Sequence, residues 1–276
     1  MSIVHSRRTG RFTALAVSAT LASLQFLFAA TLNALPNTAS SAVNPPANSS
    51  QIPDGTILPI RLNRGFSAKT VRTGEPISGR IMQAVPLPDG STIPEGATVS
   101  GRILSVAPAT TGAAETISFA FNQLAFDHQK LAIAVDLRAL ASAMTVELAQ
   151  VPDQTLGFGT SPPWADSTQI GGDAVYGAGG EVTDRENHPV GRALYNGVLV
   201  HVRAQPGGPC RGPLDGDDRL QALWLFSSDA CGVYGMQGVS ITHAGRTDPL
   251  GVIVLAAPTG KLKLRAGSGM LLRVLP

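Results

Sequence analysis

The chain has 276 residues, 14% charged and 43% apolar, with 30 Gly and 20 Pro. A near-normal apolar share excludes a disordered polymer, and so many turn-formers argue for strands joined by tight turns rather than a helical bundle. The net charge is +2, but Arg7, Arg8 and Arg11 carry three of the 21 basic residues in a stretch without acids; beyond residue 42, 18 basic residues face 19 acidic ones, net −1, so the basic footprint that nucleic acid requires is missing.

The three arginines precede an uncharged, mostly apolar run from Phe12 to Leu32, and small residues follow, with possible cleavage after Ala34 or Ala42. This pattern is expected for an export signal in residues 1–42. The run also reaches the ~20 residues needed to span a bilayer, so an uncleaved inner-membrane anchor stays open. The expected location is therefore periplasmic or secreted. Residues 43–51 continue a stretch rich in Ser, Asn, Pro and Ala without apolar period, as in a flexible linker.

From residue 52 the text changes. "IPDG", "LPDG" and "IPEG" begin at Ile52, Leu87 and Ile93. Pro presets φ at the second position of a tight turn, the acid can follow it, and Gly takes the last position freely. Four segments share one frame: "GTILPIRL" from Gly55, "GEPISGRI" from Gly74, "GATVSGRI" from Gly96 and "GSGMLLRV" from Gly267. Gly stands first, an apolar residue fourth (Leu58, Ile77, Val99, Met270), Arg seventh (Arg61, Arg80, Arg102, Arg273) and an apolar residue eighth (Leu62, Ile81, Ile103, Val274). Side chains alternate along a strand, so each copy reads as a turn and then a half-buried strand with Arg on the far face. Gly79 and Gly101 inside these strands predict bulges or a close approach of another backbone. The fourth copy ends the chain, which predicts that the last strand lies beside the first ones and protects a sheet edge.

"TISFAFNQLAF", "DHQK" and "LAIAVDL", over 116–138, predict a hairpin. "LRALASAMTVELAQ", 137–150, is the one stretch with good helix formers and no Gly or Pro. A short helix near 138–149 is expected, with a continuing strand as the alternative. Strand-like runs return after a loop-rich stretch at 152–192. The fold class is thus mainly β, a small barrel or sandwich of short antiparallel strands. Residues 52–150 form one β-domain. Residues 151–276 form a second β-rich region, either packed with it as one unit or standing as a separate domain.

The commonest nucleophile, zinc, nucleotide and redox signatures are missing, and no cofactor is expected. Cys210 and Cys231, the two cysteines, read as a disulfide in an exported chain. The remaining candidates are weak. Cys231 with His243 and Asp248 offers a nucleophile, a base and an orienting acid. Asp215, Asp217 and Asp218 in "DGDDR" place three carboxylates in five residues, but the full calcium-loop spacing is lacking. Trp164 in "SPPWAD" is a loop aromatic that could bind a ligand. Trp224 in "LQALWLFSS" reads as core. Asp173, Asp229, His243 and Asp248 could also converge as a hydrolase site built from distant residues.

Ile93, Pro94, Gly96, Gly101 and Ile103, followed by Phe121 and Leu124, match the turn–strand sentence of the TrbI-like family. Residues 52–138 resemble that family's tethered periplasmic β-domain, part of conjugation and type IV secretion machinery. The resemblance implies a non-enzymatic scaffold or assembly role in the cell envelope. It also implies partners among other envelope proteins or in self-association, and membrane contact through the N-terminal segment if it is uncleaved. Residues 151–276 resemble no family. The alternatives are a secreted hydrolase and a carbohydrate- or small-ligand-binding module.

Overall fold

A computed structural model describes residues 52–111, 113–151, 166–177, 179–204, 210, 218–242, 250–258 and 260–276. Strands β1 (Ile57–Leu62), β2 (Phe66–Ser67), β3 (Pro76–Ile81), β4 (Val85–Pro86), β5 (Thr92–Ile93), β6 (Thr98–Ala107), β7 (Glu115–Phe126), β8 (Gln129–Ala132) and β9 (Val135–Ala141) precede helix α1 (Ala143–Leu148). A second run follows: β10 (Asp166–Thr168), β11 (Ala174–Tyr176), β12 (Glu181–Thr183), β13 (Pro189–Leu194), β14 (Gly197–His201) and β15 (Leu220–Ala222). The chain closes with β16 (Gly232–Tyr234), β17 (Ser240–Thr242), β18 (Ile253–Ala257), β19 (Lys263–Leu264) and β20 (Gly269–Val274).

Nine strands form a nearly closed barrel in the order β16-β9-β20-β1-β3-β6-β7-β18-β17, with β8 paired to β7 off this path. The two ends, β16 and β17, touch. Pairing is antiparallel except between β16 and β9. Residues 52–150 and 151–276 both contribute to this sheet, within one compact unit, Asn48–Pro276.

The four framed segments are four neighbours in the wall: β20, β1, β3 and β6. Their leading glycines, Gly55, Gly74, Gly96 and Gly267, have φ of 81°, 86°, 85° and 88°. Each sits third in a turn closed by an i+3 hydrogen bond, such as Thr56 N to Pro53 O and Ala97 N to Pro94 O. This is the type II turn, whose third position needs positive φ. Each glycine amide then donates to the eighth frame residue of a neighbouring copy. Gly55 reaches Val274 O, Gly267 reaches Leu62 O, Gly74 reaches Ile103 O and Gly96 reaches Ile81 O. The frame therefore encodes a turn, a docking point and an inward face together.

All eight apolar frame residues lie in the barrel core. Arg80 and Arg102 are exposed, and Arg61 and Arg273 half-buried. Side chains fill the interior: Ile60, Phe119, Phe121, Ile117 and Leu124 are almost fully buried, each adding about 1.5–3 kcal/mol relative to an exposed state. Phe119 packs edge-on against both Phe66 and Phe121. Gly101 sits at a register shift against β7, and Gly79 lies against Ile60 and Arg61 of β1. β7 and β8 make the expected hairpin, with Asp127 and His128 both at positive φ in the turn.

The stretch 137–150 divides at Ser142. Strand β9 runs to Ala141, and α1 begins at Ala143. The Ser142 hydroxyl accepts from Thr145 N at 3.1 Å, an N-cap that starts a helix. Helix propensity loses over 137–141 because β9 sits between β20 and β16 and is buried on both faces.

Strands β10 to β15 form a second antiparallel sheet with neighbours in chain order. Val175, Val182, Val190, Val198 and Val200 share a core with Ile57, Ala139, Ala141 and Leu271 of the barrel wall. This second core explains why β1, β9 and β20 are covered on both faces and are mostly apolar, as strands between two packed layers are. "LQALWLFSS" forms strand only over Leu220–Ala222. At Trp224 the chain turns with φ of 53°, an unusual conformation for a large side chain. Buried Gln83 holds this turn, accepting from Trp224 N at 2.7 Å and donating to Val198 O at 2.8 Å. Trp224 is core, 4% exposed.

Candidate functional site

Charged residues converge where the second sheet meets the barrel. Their origin is a bulge. In the β9–β20 ladder Leu271 opposes Ala139 and Leu272 opposes Leu137, so Arg138 is an extra residue. Bulges re-aim side chains, and this one leaves Arg138 2% exposed beside the second core. The Arg138 guanidinium donates to the Arg203 carbonyl at 2.6 Å. Burial, then the Arg273 charge, pull its pKa down to about 10, against the opposite pull of Tyr234 and Asp229.

Asp173 and Asp229 meet here through two loops. Ile170 bridges Phe226 in parallel, and Ser227 N returns a bond to Ile170 O at 3.0 Å. Asp173 accepts from Ser228 N at 2.7 Å, and Asp229 accepts from the Ser227 hydroxyl at 2.8 Å. Gly171 permits the close approach, because a Cβ on it would stand 1.8 Å from Ser227 Oγ, at φ +120°. Burial raises the Asp173 pKa, the Ser228 bonds oppose this, and the Asp229 charge adds to the rise. Arg185 neutralises Asp229 across 3.4 Å and also donates to the Gly171 carbonyl.

Asp184 is the second acidic anchor. One oxygen accepts from Glu186 N and His188 N at 3.0 and 2.8 Å, and the other binds Arg203. Burial opposes its ionisation. Arg203 and the two amides outweigh that and bring its pKa down to about 2. Arg203 is raised in turn, chiefly by its bond to Asp184. Tyr234 is raised by burial, and its oxygen accepts from Cys231 N at 3.0 Å.

Cys210 and Cys231 form a disulfide, Cα–Cα 5.8 Å, beside this cluster. It leaves Cys231 no thiol for nucleophilic attack. The bond is consistent with an oxidising, exported location. Among the described residues no helix is long and apolar enough to cross a membrane.

Of the three carboxylates and one imidazole that distant residues could bring together, Asp173 and Asp229 do meet, while His243 and Asp248 lie outside the described residues. So do Asp215, Asp217 and Trp164. Asp218 is described. Its side chain is 98% exposed and stands 3.4 Å from His201 Nδ1.

Sequence reading missed Arg138, Asp184, Arg185 and Arg203. "DRENH" carried one signal, an acid followed by ligand types two and four residues on. Asp184, Glu186 and His188 each bring a ligand atom within 4.8 Å of the others. Both Asp184 oxygens are already bound to this chain's own donors, so the trio reads as a capped hairpin turn. Arg138 had no local signal, because an extra residue in a ladder is visible only once the partner strand is known.

No protein-family model, curated protein or solved structure matches the chain. The chemistry of the cluster must therefore speak alone. Each buried charge here ends on backbone or on an opposite charge: Asp173 on Ser228 N, Asp184 on two amides and Arg203, and Arg138 on the Arg203 carbonyl. Such pairing is what makes buried charge tolerable. The arrangement ties loops of the second sheet to one another and, through Arg138 of β9, to the barrel wall.

A cleft of about 430 Å³ opens elsewhere along the second sheet, lined by Ser167, Gln169, Tyr195, Asn196 and Trp224. Tyr195 is 93% exposed there. The Asn196 amide donates to Glu95 at 2.7 Å.

Proposed function

We propose that this chain is an exported cell-envelope β-protein whose barrel acts as a non-enzymatic scaffold or assembly module. The observation that carries the reading is the use of the interior. Phe119, Phe121 and the aliphatic frame residues fill the barrel, and the buried charges are consumed in clamping the second sheet to it. A rigid body with a filled interior offers its outside to partners. The disulfide suits the same location. The TrbI-like motifs support the role, since Ile93 lies on β5, Pro94 and Gly96 in the turn after it, Gly101 and Ile103 on β6, and Phe121 and Leu124 on β7 of this body. The export signal in residues 1–42, a periplasmic site, and assembly with envelope proteins or with itself belong to this proposal. A photo-crosslinker at Leu250, 66% exposed, tests it in intact cells. Adducts with envelope proteins or a second copy are expected. A freely released monomer without adducts sinks the reading.

The Tyr195 cleft favours a second reading, a small-ligand or carbohydrate module, because an exposed ring beside amide groups suits stacking on a sugar. Binding of envelope glycan fragments that Tyr195→Ala abolishes would select it over the scaffold reading.

A further inference from the structure

Arg61 and Arg80 stand directly opposite each other on β1 and β3. Like charges so placed repel. They share a cleft of about 400 Å³ with Asn63, Met82, Ala266 and Gly267. The Arg61 guanidinium lies over the bare Gly267, whose Cβ would stand 3.3 Å from Arg61 Nη2. Neither arginine forms an ion pair with a described carboxylate.

The cations continue. The β2–β19 ribbon sets Lys263 opposite Ser67 and Leu264 opposite Phe66. It thereby joins segment 61–72, with Arg61, Arg64, Lys69 and Arg72, to segment 260–267, with Lys261, Lys263 and Arg265, and neither segment contains Asp or Glu. Lys69, Lys263 and Arg265 line a second cleft of about 680 Å³. The one carboxylate in that cleft, Glu115, is 4% exposed and accepts from Leu262 N. A chain with net charge −1 beyond residue 42 thus concentrates positive charge on one face.

Apolar side chains adjoin it. Lys263 and Arg265 line a third cleft, about 240 Å³, with Met144 and Met236. Met144 and Leu148 lie four apart on α1, and Val151 follows three residues later, 59%, 64% and 61% exposed. Six large apolar side chains are exposed among the described residues, and three of them lie on or just after α1, whose Met144 lines the cleft with Lys263 and Arg265. Glu147 is the one carboxylate on α1.

We propose that this face docks on an anionic phospholipid bilayer, with Arg61, Arg80, Lys69, Lys263 and Arg265 among the phosphates and Met144 and Leu148 at the acyl boundary. Guanidinium forks match phosphate oxygens, and two opposed forks suit phosphate groups better than one carboxylate. The charges spread over three open clefts, as a headgroup layer of variable spacing requires. The apolar residues protrude from a helix instead of lining a groove, and protruding apolar side chains beside cations are how peripheral proteins seat on a membrane. The proposal stands apart from the scaffold reading, since a carbohydrate module or an enzyme could seat the same way.

Among the described residues no cysteine is free, so Met144→Cys in the full chain accepts a single environment-sensitive fluorophore. On vesicles with about 30% phosphatidylglycerol the label is expected to shift blue, and not on pure phosphatidylcholine. K263Q/R265Q is expected to raise the lipid concentration for half-maximal shift roughly 25-fold, from about fivefold per cation. K263R/R265K keeps the wild-type value. Salt at about 0.5 M weakens the response. The fluorophore reports its own surroundings, so attachment through residues 12–32 alone does not shift it. The idea is overturned by equal shifts on both vesicles, by indifference to K263Q/R265Q, or by a shift with inorganic phosphate or poly-glutamate instead of vesicles. Circular dichroism of each variant checks that the strands persist.

Discussion

Gly101 of β6 lies against Ala120 of β7 so closely that a Cβ on it would stand 1.8 Å from the Ala120 carbonyl oxygen. The contact is backbone against backbone and cannot relax by a rotamer change. Gly79, the matching glycine of β3, would meet the flexible end of Ile60 first, at 2.8 Å. Gly101→Ala is therefore expected to cost about 3 kcal/mol and Gly79→Ala about 1 kcal/mol, within the range for overpacking. Urea midpoints of the two variants check the order. A larger loss in Gly79→Ala would mean that the bulge at Gly101 yields.

The Cys210–Cys231 disulfide spans 21 residues of sequence. On the loop-entropy account its loss costs about 3 kcal/mol. For a body of this size that is roughly 6–12 °C in Tm. Calorimetry with and without a phosphine reductant reads it directly. An unchanged Tm with fully reduced thiols would show that the buried cluster alone fixes that loop.

Asp184 supplies a pH signature. Its pKa in the folded state is about 2, below the usual value of about 3.9. A depressed carboxylate contributes stability above its unfolded pKa and loses it as pH falls through the folded one. Asp184→Asn is therefore expected to lower Tm at pH 7. The gap from wild type should shrink between about pH 4 and pH 2. A gap that stays constant with pH would assign the effect to the lost turn geometry instead of the charge.

Asp173 carries the opposite sign. Burial first, then Asp229, raise its pKa, although the Ser228 bonds resist. A raised carboxylate costs stability when ionised, and the cost fades as pH falls through the folded pKa towards the unfolded value. Asp173→Asn keeps an oxygen for Ser228 N and removes the charge. It is expected to match or exceed the wild-type Tm at pH 7 and to lose any advantage in mild acid. A marked fall in Tm at pH 7 would show that Arg203 and Ser228 need the negative charge there.

The frame of Gly, apolar, Arg, apolar was readable as a local rule because every part of it is local. Gly96 needs positive φ in its own turn, and Val99 and Ile103 share a face through period two. The disulfide was readable for another reason, since two cysteines leave one pairing. The first part of "LRALASAMTVELAQ" was not, because Leu137 to Ala141 are good helix formers held extended by strands on both sides. The candidate cluster was half readable. Asp173 and Asp229 were singled out as carboxylates, but Arg138, Arg185 and Arg203 were not.

By itself, the sequence determined the β class, the tight turns that open the strands at Gly55, Gly74, Gly96 and Gly267, and the inward set from Leu58 to Val274. Sterics and side-chain alternation act within a few residues and leave their mark in the text. Only the tertiary structure decided that the four copies are neighbours in one wall and that β9 bulges at Arg138. It alone faced Arg61 with Arg80 and joined two distant basic segments at the β2–β19 ribbon. Those outcomes depend on strand order and register, which long-range hydrogen bonds and burial select and no short stretch encodes.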